Sequence, residues 1–205
     1  MTPTLTRRSI MLAGALGLAG LAAPVAAQEA REVVEMSFGS PDAPVTLIEY
    51  ASLTCPHCAD FHTTVLPQIK SEYVDTGQVR VVYREVFFDR PSLWGAMIAR
   101  CAGTDRYFGV IDLLFRNQAK WSQAADAAGV VAELQSIGRQ AGMTDDAMNA
   151  CLQDADFAQA LVTEFQKNAT ADDVQATPSF VLNGEKVENM PWPDFKARID
   201  AALGT

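Results

Sequence analysis

Basic residues are scarce in this 205-residue chain, which holds 16 lysines and arginines against 25 aspartates and glutamates, for a net charge of −9 at pH 7. A surface that binds nucleic acid needs many cations to neutralise phosphates, so the composition argues against a nucleic-acid partner. Cysteine is also scarce, and four cysteines in a chain of this length are too few for a disulfide-dense scaffold. The hydrophobic content of 49% indicates a globular protein with a substantial core.

The first 27 residues differ in composition from the rest. Arg7 and Arg8 precede an apolar run over residues 10–23, and small residues follow up to Ala27. This pattern predicts a signal peptide over residues 1–27, cleaved after Ala27. A membrane anchor is the alternative, but the apolar run is shorter than the roughly 20 residues that cross a bilayer. The paired arginines fit both the twin-arginine route and an ordinary positive start, so the export route stays open.

The mature chain begins with elements of the α/β type. A polar lead-in is expected over residues 28–44, followed by a buried strand at 45–51. Apolar residues then recur every three or four positions from Pro56, which predicts a helix, with a kink at Pro67. The β-branched and aromatic residues at 78–88 predict a second buried strand.

No convincing strand is predicted between residues 92 and 170, where four or five helices are expected. A hairpin follows at 179–187, because Asn183-Gly184 separates two short strand patterns. The final helix is predicted over 193–203. The order β-α-β, helical block, β-β-α indicates one α/β domain over residues 45–205 with a helical insert.

The motif Cys55-Pro56-His57-Cys58 lies where the first strand gives way to the helix. Unpaired N–H groups, the helix dipole and the imidazole of His57 all favour the thiolate of Cys55. A stabilised thiolate favours the reduced dithiol and makes the disulfide a stronger oxidant. Pro56 suits the first helical position, where its missing N–H costs nothing. Cys58, on the apolar stripe, is expected to be buried and to act as the resolving partner.

The dithiol has two alternative roles. It could be a short structural disulfide, or it could bind zinc or copper. A metal site needs more ligands than this neighbourhood offers, because His62 is the only other histidine in the chain and no second C-x-x-C motif follows. We therefore predict redox chemistry without a cofactor or a metal, and expect His62 to be a polar residue on the helix surface.

Together, the dithiol motif, the helical insert and Thr177-Pro178 before the hairpin resemble the DsbA family of thioredoxin-fold thiol–disulfide oxidoreductases. The resemblance implies a thioredoxin-like fold with an inserted helical block. It also implies that Pro178 is cis and lies across from the cysteines, where Thr177 presents its backbone to an extended substrate. The alternative is an ordinary trans proline at a strand start.

The resemblance further implies a buried acidic group beneath the dithiol at the position of Glu49. Such a carboxyl group has a raised pKa and can relay protons to and from Cys58. The alternative is a surface glutamate, because the strand pattern does not decide which face Glu49 occupies. A second pair, Cys101 and Cys151, resembles the one that some α-proteobacterial members carry. Its expected role is a structural disulfide that braces the helical block, with redox sensing as the alternative.

These expectations combine into an exported, periplasmic oxidase of protein thiols. Its substrates would be reduced secreted polypeptides, and the resemblance implies recycling by a membrane, quinone-linked partner of the DsbB type. A disulfide isomerase or reductase of the same fold is the first alternative, although the absence of a separate dimerisation segment favours a monomer. A copper- or zinc-binding chaperone that uses Cys55, Cys58 and His62 is the second.

Overall fold

The structure is a computed structural model that describes Met1 and residues 32–205. The predicted signal peptide, apart from Met1, lies outside the described residues, as does the start of the predicted lead-in. In the part of the chain that the structure describes, no helix is long and apolar enough to cross a membrane.

A five-stranded mixed sheet forms the centre of the molecule. In chain order its strands are β1 (Met36–Phe38), β2 (Val45–Ala51), β3 (Val79–Glu85), β4 (Ser179–Leu182) and β5 (Glu185–Val187). Their spatial order is β1-β3-β2-β4-β5, with β2 and β3 parallel and the other pairs antiparallel. The carboxyl ends of β2 and β3 therefore meet at one edge of the sheet, and β2 leads from that edge into Cys55.

Helices surround the sheet and fill the insert between β3 and β4. They are α1 (Pro56–Thr64), α2 (Leu66–Ile69), α3 (Arg90–Cys101), α4 (Thr104–Arg116), α5 (Gln118–Ser122), α6 (Ala127–Gln140), α7 (Asp145–Leu152), α8 (Ala155–Ala171) and α9 (Trp192–Leu203). The insert holds six helices, α3 to α8, where the sequence predicts four or five. The order of strands and helices from β2 onward is the predicted one.

The two faces of the sheet are covered by different helices. On one face, Phe61 of α1 packs on Phe180 of β4 and Phe195 of α9, with ring centroids 4.5 and 5.6 Å apart. On the other face, Tyr50 of β2 lies in a cluster with Phe165 of α8. Burial on both faces explains the weak alternation of the β2 sequence.

Two predicted boundaries are wrong. The lead-in at 28–44 contains strand β1, which pairs antiparallel with β3 and extends the sheet. A three-residue strand carries too little alternation to be seen in sequence. Strand β3 ends at Glu85 rather than at residue 88, because the chain turns toward helix α3 and leaves Phe88 61% exposed.

Two other features follow their local signals. Helix α1 ends at Thr64 and α2 begins at Leu66, so the helix breaks next to Pro67, and a π-helical turn over Lys70–Val74 follows. In the β4–β5 hairpin, Asn183 and Gly184 have φ of 48° and 86°. Both values lie in the left-handed region that an Asn-Gly turn supplies at low cost.

Candidate active site

The reactive dithiol lies at the amino terminus of α1. Cys55 is the N-cap residue, and Pro56 occupies the first turn. Both Cys55 and Cys58 are free thiols; Cys55 is partly exposed and Cys58 is fully buried. An incoming thiolate can therefore reach the sulfur of Cys55 and not that of Cys58.

Several hydrogen-bond donors lie around the Cys55 sulfur. A hydrogen bond from the Cys58 thiol is the main cause that lowers the pKa of Cys55 to about 5, and it outweighs the opposing effect of burial. The Thr177 side chain and the backbone N–H groups of Cys58 and His57 lower this pKa further. Because each donor stabilises a negative sulfur, Cys55 is a thiolate at neutral pH.

Cys58 has the opposite electrostatic character. The hydrogen bond to Cys55 raises the pKa of Cys58 far above its usual value, and burial acts in the same direction, as does Glu49 when it is ionised. Cys58 is therefore a protonated thiol in the reduced protein. The dithiol thus pairs one sulfur that leaves easily as an anion with one that needs a proton to leave.

The loop before β4 lies against the dithiol. The Thr177–Pro178 peptide bond is cis, and the Cys55 Sγ lies 3.4 Å from the Thr177 carbonyl oxygen. Because Pro178 has no N–H and Ser179 begins β4, this segment offers backbone groups next to the reactive sulfur.

Glu49 lies on β2 and is 1% exposed. Neither of its carboxylate oxygens has a hydrogen-bond partner among the described residues. Burial raises the pKa of Glu49 to about 8. The surface alternative for Glu49 is therefore wrong, and the side chain is a protonated acid at neutral pH. Only its ionised form would raise the pKa of Cys58 further.

Three residues that hold the loop around Cys55 carry no signal in the sequence. The Gln118 amide donates to the carbonyl oxygens of Leu53 and Cys55 at 2.8 and 2.9 Å. The Thr54 hydroxyl donates to Asp89 Oδ2 at 2.7 Å. Gln118 is distant from Cys55 in sequence and Asp89 begins α3, so only the folded chain brings them together.

The two histidines differ from their expected roles. The His57 side chain is exposed, and it is the backbone N–H of His57 that acts on Cys55. His62, expected on the helix surface, is 8% exposed and stacks on Phe115 of α4 with ring centroids 4.6 Å apart. Burial lowers the pKa of His62 to about 4, so the ring is neutral.

The candidate metal ligands Cys55, Cys58 and His62 do not form a metal site in this structure. Among the described residues, no three histidine, cysteine, aspartate or glutamate side chains are arranged to hold a metal ion.

Cys101 and Cys151 form a disulfide, with an S–S distance of 2.02 Å. The bond joins the end of α3 to α7 inside the helical insert. Cys151 packs in a cluster with Met97, Phe157 and Leu161.

The chain is similar in sequence to known proteins. A family model described as thioredoxin matches residues 31–201. A Rickettsia bellii protein, provisionally named a protein-disulfide oxidoreductase, is 32% identical over 170 residues, covering 82% of this chain and 64% of the relative. The chain therefore spans less than two thirds of the length of that relative.

Two solved structures are similar over nearly their whole length. Wolbachia pipientis alpha-DsbA1 superposes with a TM-score of 0.75 and 29% identity, covering 83% of this chain and 91% of that one. The structure of a protein-disulfide isomerase from Novosphingobium aromaticivorans gives a TM-score of 0.73 and 25% identity, covering 83% and 98%. Both solved structures share the fold of this chain, including the helical insertion.

Proposed function

Because the chain belongs to the thioredoxin family and has DsbA proteins among its structural neighbours, we propose that it is a DsbA-type thiol–disulfide oxidoreductase. It acts as an oxidase that introduces disulfides into other polypeptides. The observation that carries this proposal is the opposite acidity of Cys55 and Cys58, since the pKa of Cys55 is lowered to about 5 and that of Cys58 is raised. Stabilising the Cys55 thiolate stabilises the reduced protein, which makes the disulfide form an electron acceptor.

The reaction takes two exchange steps. A substrate thiolate attacks Cys55 Sγ of the Cys55–Cys58 disulfide, forms a mixed disulfide and releases Cys58, which takes up a proton. A second substrate thiolate then attacks the substrate sulfur of the mixed disulfide and releases Cys55 as a thiolate. The substrate gains a disulfide and loses two electrons, which the protein keeps as its reduced dithiol.

The surrounding residues have distinct roles in this scheme. Glu49 gives its proton to the leaving Cys58, since a buried carboxyl with a pKa of about 8 carries a proton at neutral pH. Pro56 and His57 hold the first turn of α1 and its N–H groups against Cys55. Thr177 and Pro178 bind the extended substrate through backbone groups, as an edge strand does.

The cellular setting follows the sequence pattern. Residues 1–27 direct export to the periplasm, and the substrates are reduced secreted polypeptides. Reoxidation uses a membrane, quinone-linked partner of the DsbB type. Sequencing the amino terminus of the exported protein tests the first point, since an unprocessed chain retained in the cytoplasm would contradict it.

Isomerisation is the second candidate function, because one structural neighbour is named a protein-disulfide isomerase. The two activities use the same dithiol and differ in the client. An oxidase acts on a reduced client, whereas an isomerase acts on a client with wrong disulfides and keeps its own dithiol reduced. Light scattering adds a test, because a monomer favours the oxidase.

The deciding experiment is refolding of a reduced, cysteine-containing client with catalytic amounts of oxidised protein. We expect disulfides to form with the wild type and not with Cys55→Ser. Parallel refolding of a client with scrambled disulfides measures isomerase activity. The oxidase proposal fails if the wild type rescues only the scrambled client, or if its reduction potential equals that of a cytosolic thioredoxin.

A further inference from the structure

Buried polar oxygens without partners are concentrated beneath the dithiol. Among the described residues, four buried side-chain nitrogen or oxygen atoms lack a hydrogen-bond partner, and three of them belong to Glu49 and Tyr83. The three are both carboxylate oxygens of Glu49 and the hydroxyl of Tyr83. Unpartnered buried polar groups are costly, and where they persist they commonly serve a function.

Glu49 and Tyr83 are direct neighbours in the sheet. They are paired residues in the parallel register of β2 and β3, so their side chains project to the same face. That face carries α1, and Tyr83 lies in the same buried cluster as Cys58. Tyr83 is 2% exposed and interacts electrostatically with both Glu49 and Cys58.

Apart from His62 of α1, whose Nδ1 atom also lacks a partner and whose ring stacks on Phe115 of α4, the other charged or titratable groups around this cluster already have partners. Glu85 of β3 accepts two hydrogen bonds from Arg100 of α3, at 2.6 and 2.7 Å. Tyr107 of α4 donates to Glu85 at 2.6 Å. From β4, the residue opposite Glu49 is the apolar Phe180. Among the described residues of this group, Tyr83 therefore has the one hydroxyl that is free to donate a hydrogen bond to an ionised Glu49.

We propose that Tyr83 is a positioning residue for the exchange reaction, because its hydroxyl donates a hydrogen bond, directly or through one water, to the Glu49 carboxylate after Glu49 has protonated Cys58. This inference rests on the proposed function and adds a residue to it. A hydrogen bond to the charged form of an acid lowers its pKa and makes it a better proton donor. Tyr83 thus assists the departure of Cys58 without touching either sulfur.

The proton balance of the step is complete. Substrate thiolate attack on Cys55 breaks the S–S bond and leaves a negative charge on Cys58. The proton of Glu49 moves to Cys58, and the negative charge moves to Glu49, where the Tyr83 hydroxyl stabilises it. No further oxidant or reductant is needed, because the electrons stay with the sulfurs.

Tyr83→Phe tests the proposal, because it removes only the hydroxyl oxygen. We expect the pKa of Glu49 to rise by about one unit, a tenfold change in its protonation constant, measured by infrared titration of the carboxyl C=O band. Glu49→Gln identifies that band by removing it. The rate at which a small thiol attacks the oxidised protein, corrected for the ionised fraction of that small thiol, should fall about threefold. The pH break, which is the pH at which the slope of this rate profile changes, should rise by about one unit.

Two further variants separate this role from a structural one. Tyr50→Phe removes a hydroxyl from the same sheet on the opposite face, where Tyr50 is hydrogen bonded to Arg84, and should leave the pH break unmoved. In the Glu49→Gln background, Tyr83→Phe should have no additional effect on the rate.

Three results would overturn the proposal: an unchanged Glu49 titration in Tyr83→Phe, an equal rate loss in the Glu49→Gln background, or failure of Tyr83→Phe to fold. The last counts because an unpartnered hydroxyl cannot be needed for stability. Failure of the proposed function gives a different result, in which the wild type itself does not oxidise thiols while the infrared shift can still occur.

Discussion

At the scale of single residues, two sulfurs and one carboxyl group have pKa values that move in different directions for identifiable reasons. Donors around Cys55 favour its anion, whereas burial keeps Glu49 neutral. The Cys58 thiol donates to Cys55, and its own pKa is raised by that hydrogen bond and by burial. The chemistry of the site can therefore be tested by measuring how the protonation of each group changes with pH.

Alkylation of the reduced protein should report the Cys55 thiolate directly. The rate with iodoacetamide is expected to reach half its maximum at about pH 5, because the pKa of Cys55 is lowered to that value. In Cys58→Ala the midpoint should move upward, since the Cys58 thiol is the strongest donor to Cys55. A wild-type midpoint near that of a free cysteine would contradict the assignment.

The buried carboxyl of Glu49 should make stability depend on pH. Its pKa in the folded protein is about 8 against 4.5 for the exposed group, so the unfolded chain loses its proton first as pH rises. Glu49 therefore does not lower the free energy of unfolding below about pH 4.5. As pH rises from there toward 8, the free energy of unfolding falls by on the order of 5 kcal/mol.

Urea denaturation of the reduced wild type and Glu49→Gln across this range isolates the effect. The variant should gain stability relative to wild type as pH rises, since its amide does not titrate. Cys55 has the opposite effect in both proteins. Because its pKa is lowered in the folded state, the free energy of unfolding increases as pH rises from about 5. A constant difference between the two proteins would show that Glu49 ionises as readily in the folded chain as in the unfolded one.

At the scale of elements, the site depends on where helices begin and on what their first residues bind. Cys55 follows strand β2 and caps α1, while Asp89 ends the β3 connection and caps α3. Asp89 accepts hydrogen bonds from the Ser92 N–H at 2.7 Å and from the Thr54 hydroxyl at 2.7 Å. One carboxylate thus starts a helix of the insert and holds the residue next to Cys55.

Asp89→Ala should lower the free energy of unfolding by about 1 kcal/mol, because it removes the α3 cap. Asp89→Asn keeps a capping oxygen and should retain most of the stability. Thr54→Val removes the contact with the Cys55 loop and leaves the cap in place. Thermal denaturation of the three variants checks this order, and equal losses in Asp89→Ala and Asp89→Asn would show that charge rather than capping is what matters.

At the scale of the whole molecule, the helical insert is closed by a disulfide and joined to the sheet by a buried ion pair. Cys101 and Cys151 are separated by 50 residues, so their bond constrains much of the insert in the unfolded chain. The bidentate Arg100–Glu85 pair links α3, which carries Cys101, to β3. The insert is therefore joined to the sheet through α3.

Replacing both cysteines, as Cys101→Ala with Cys151→Ala, should lower the free energy of unfolding by about 4 kcal/mol through the restored chain entropy of the unfolded state. The comparison is made by urea denaturation with the Cys55–Cys58 pair kept in one redox state. A loss below about 1 kcal/mol would contradict the bracing role and leave redox sensing as the better explanation.

Features with local signals could be predicted from the amino-acid order alone. The dithiol at a strand–helix junction, the break at Pro67 and the Asn183-Gly184 turn each depend on residues within a few positions of one another. The helical insert followed from composition and spacing. The order of elements was also enough to indicate an α/β fold, and the resemblance to the DsbA family implied its thioredoxin type.

Burial and the meeting of distant residues depend instead on how the elements pack. The surface prediction for His62 is wrong because α1 is covered by the sheet on one side and by Phe115 of α4 on another, which a helical periodicity does not reveal. Gln118 reaches Cys55, and Glu49 lies beside Tyr83, through contacts between separate elements. Such contacts set local dielectric and hydrogen bonding, and therefore the acidity of the dithiol, in a way that no local pattern encodes.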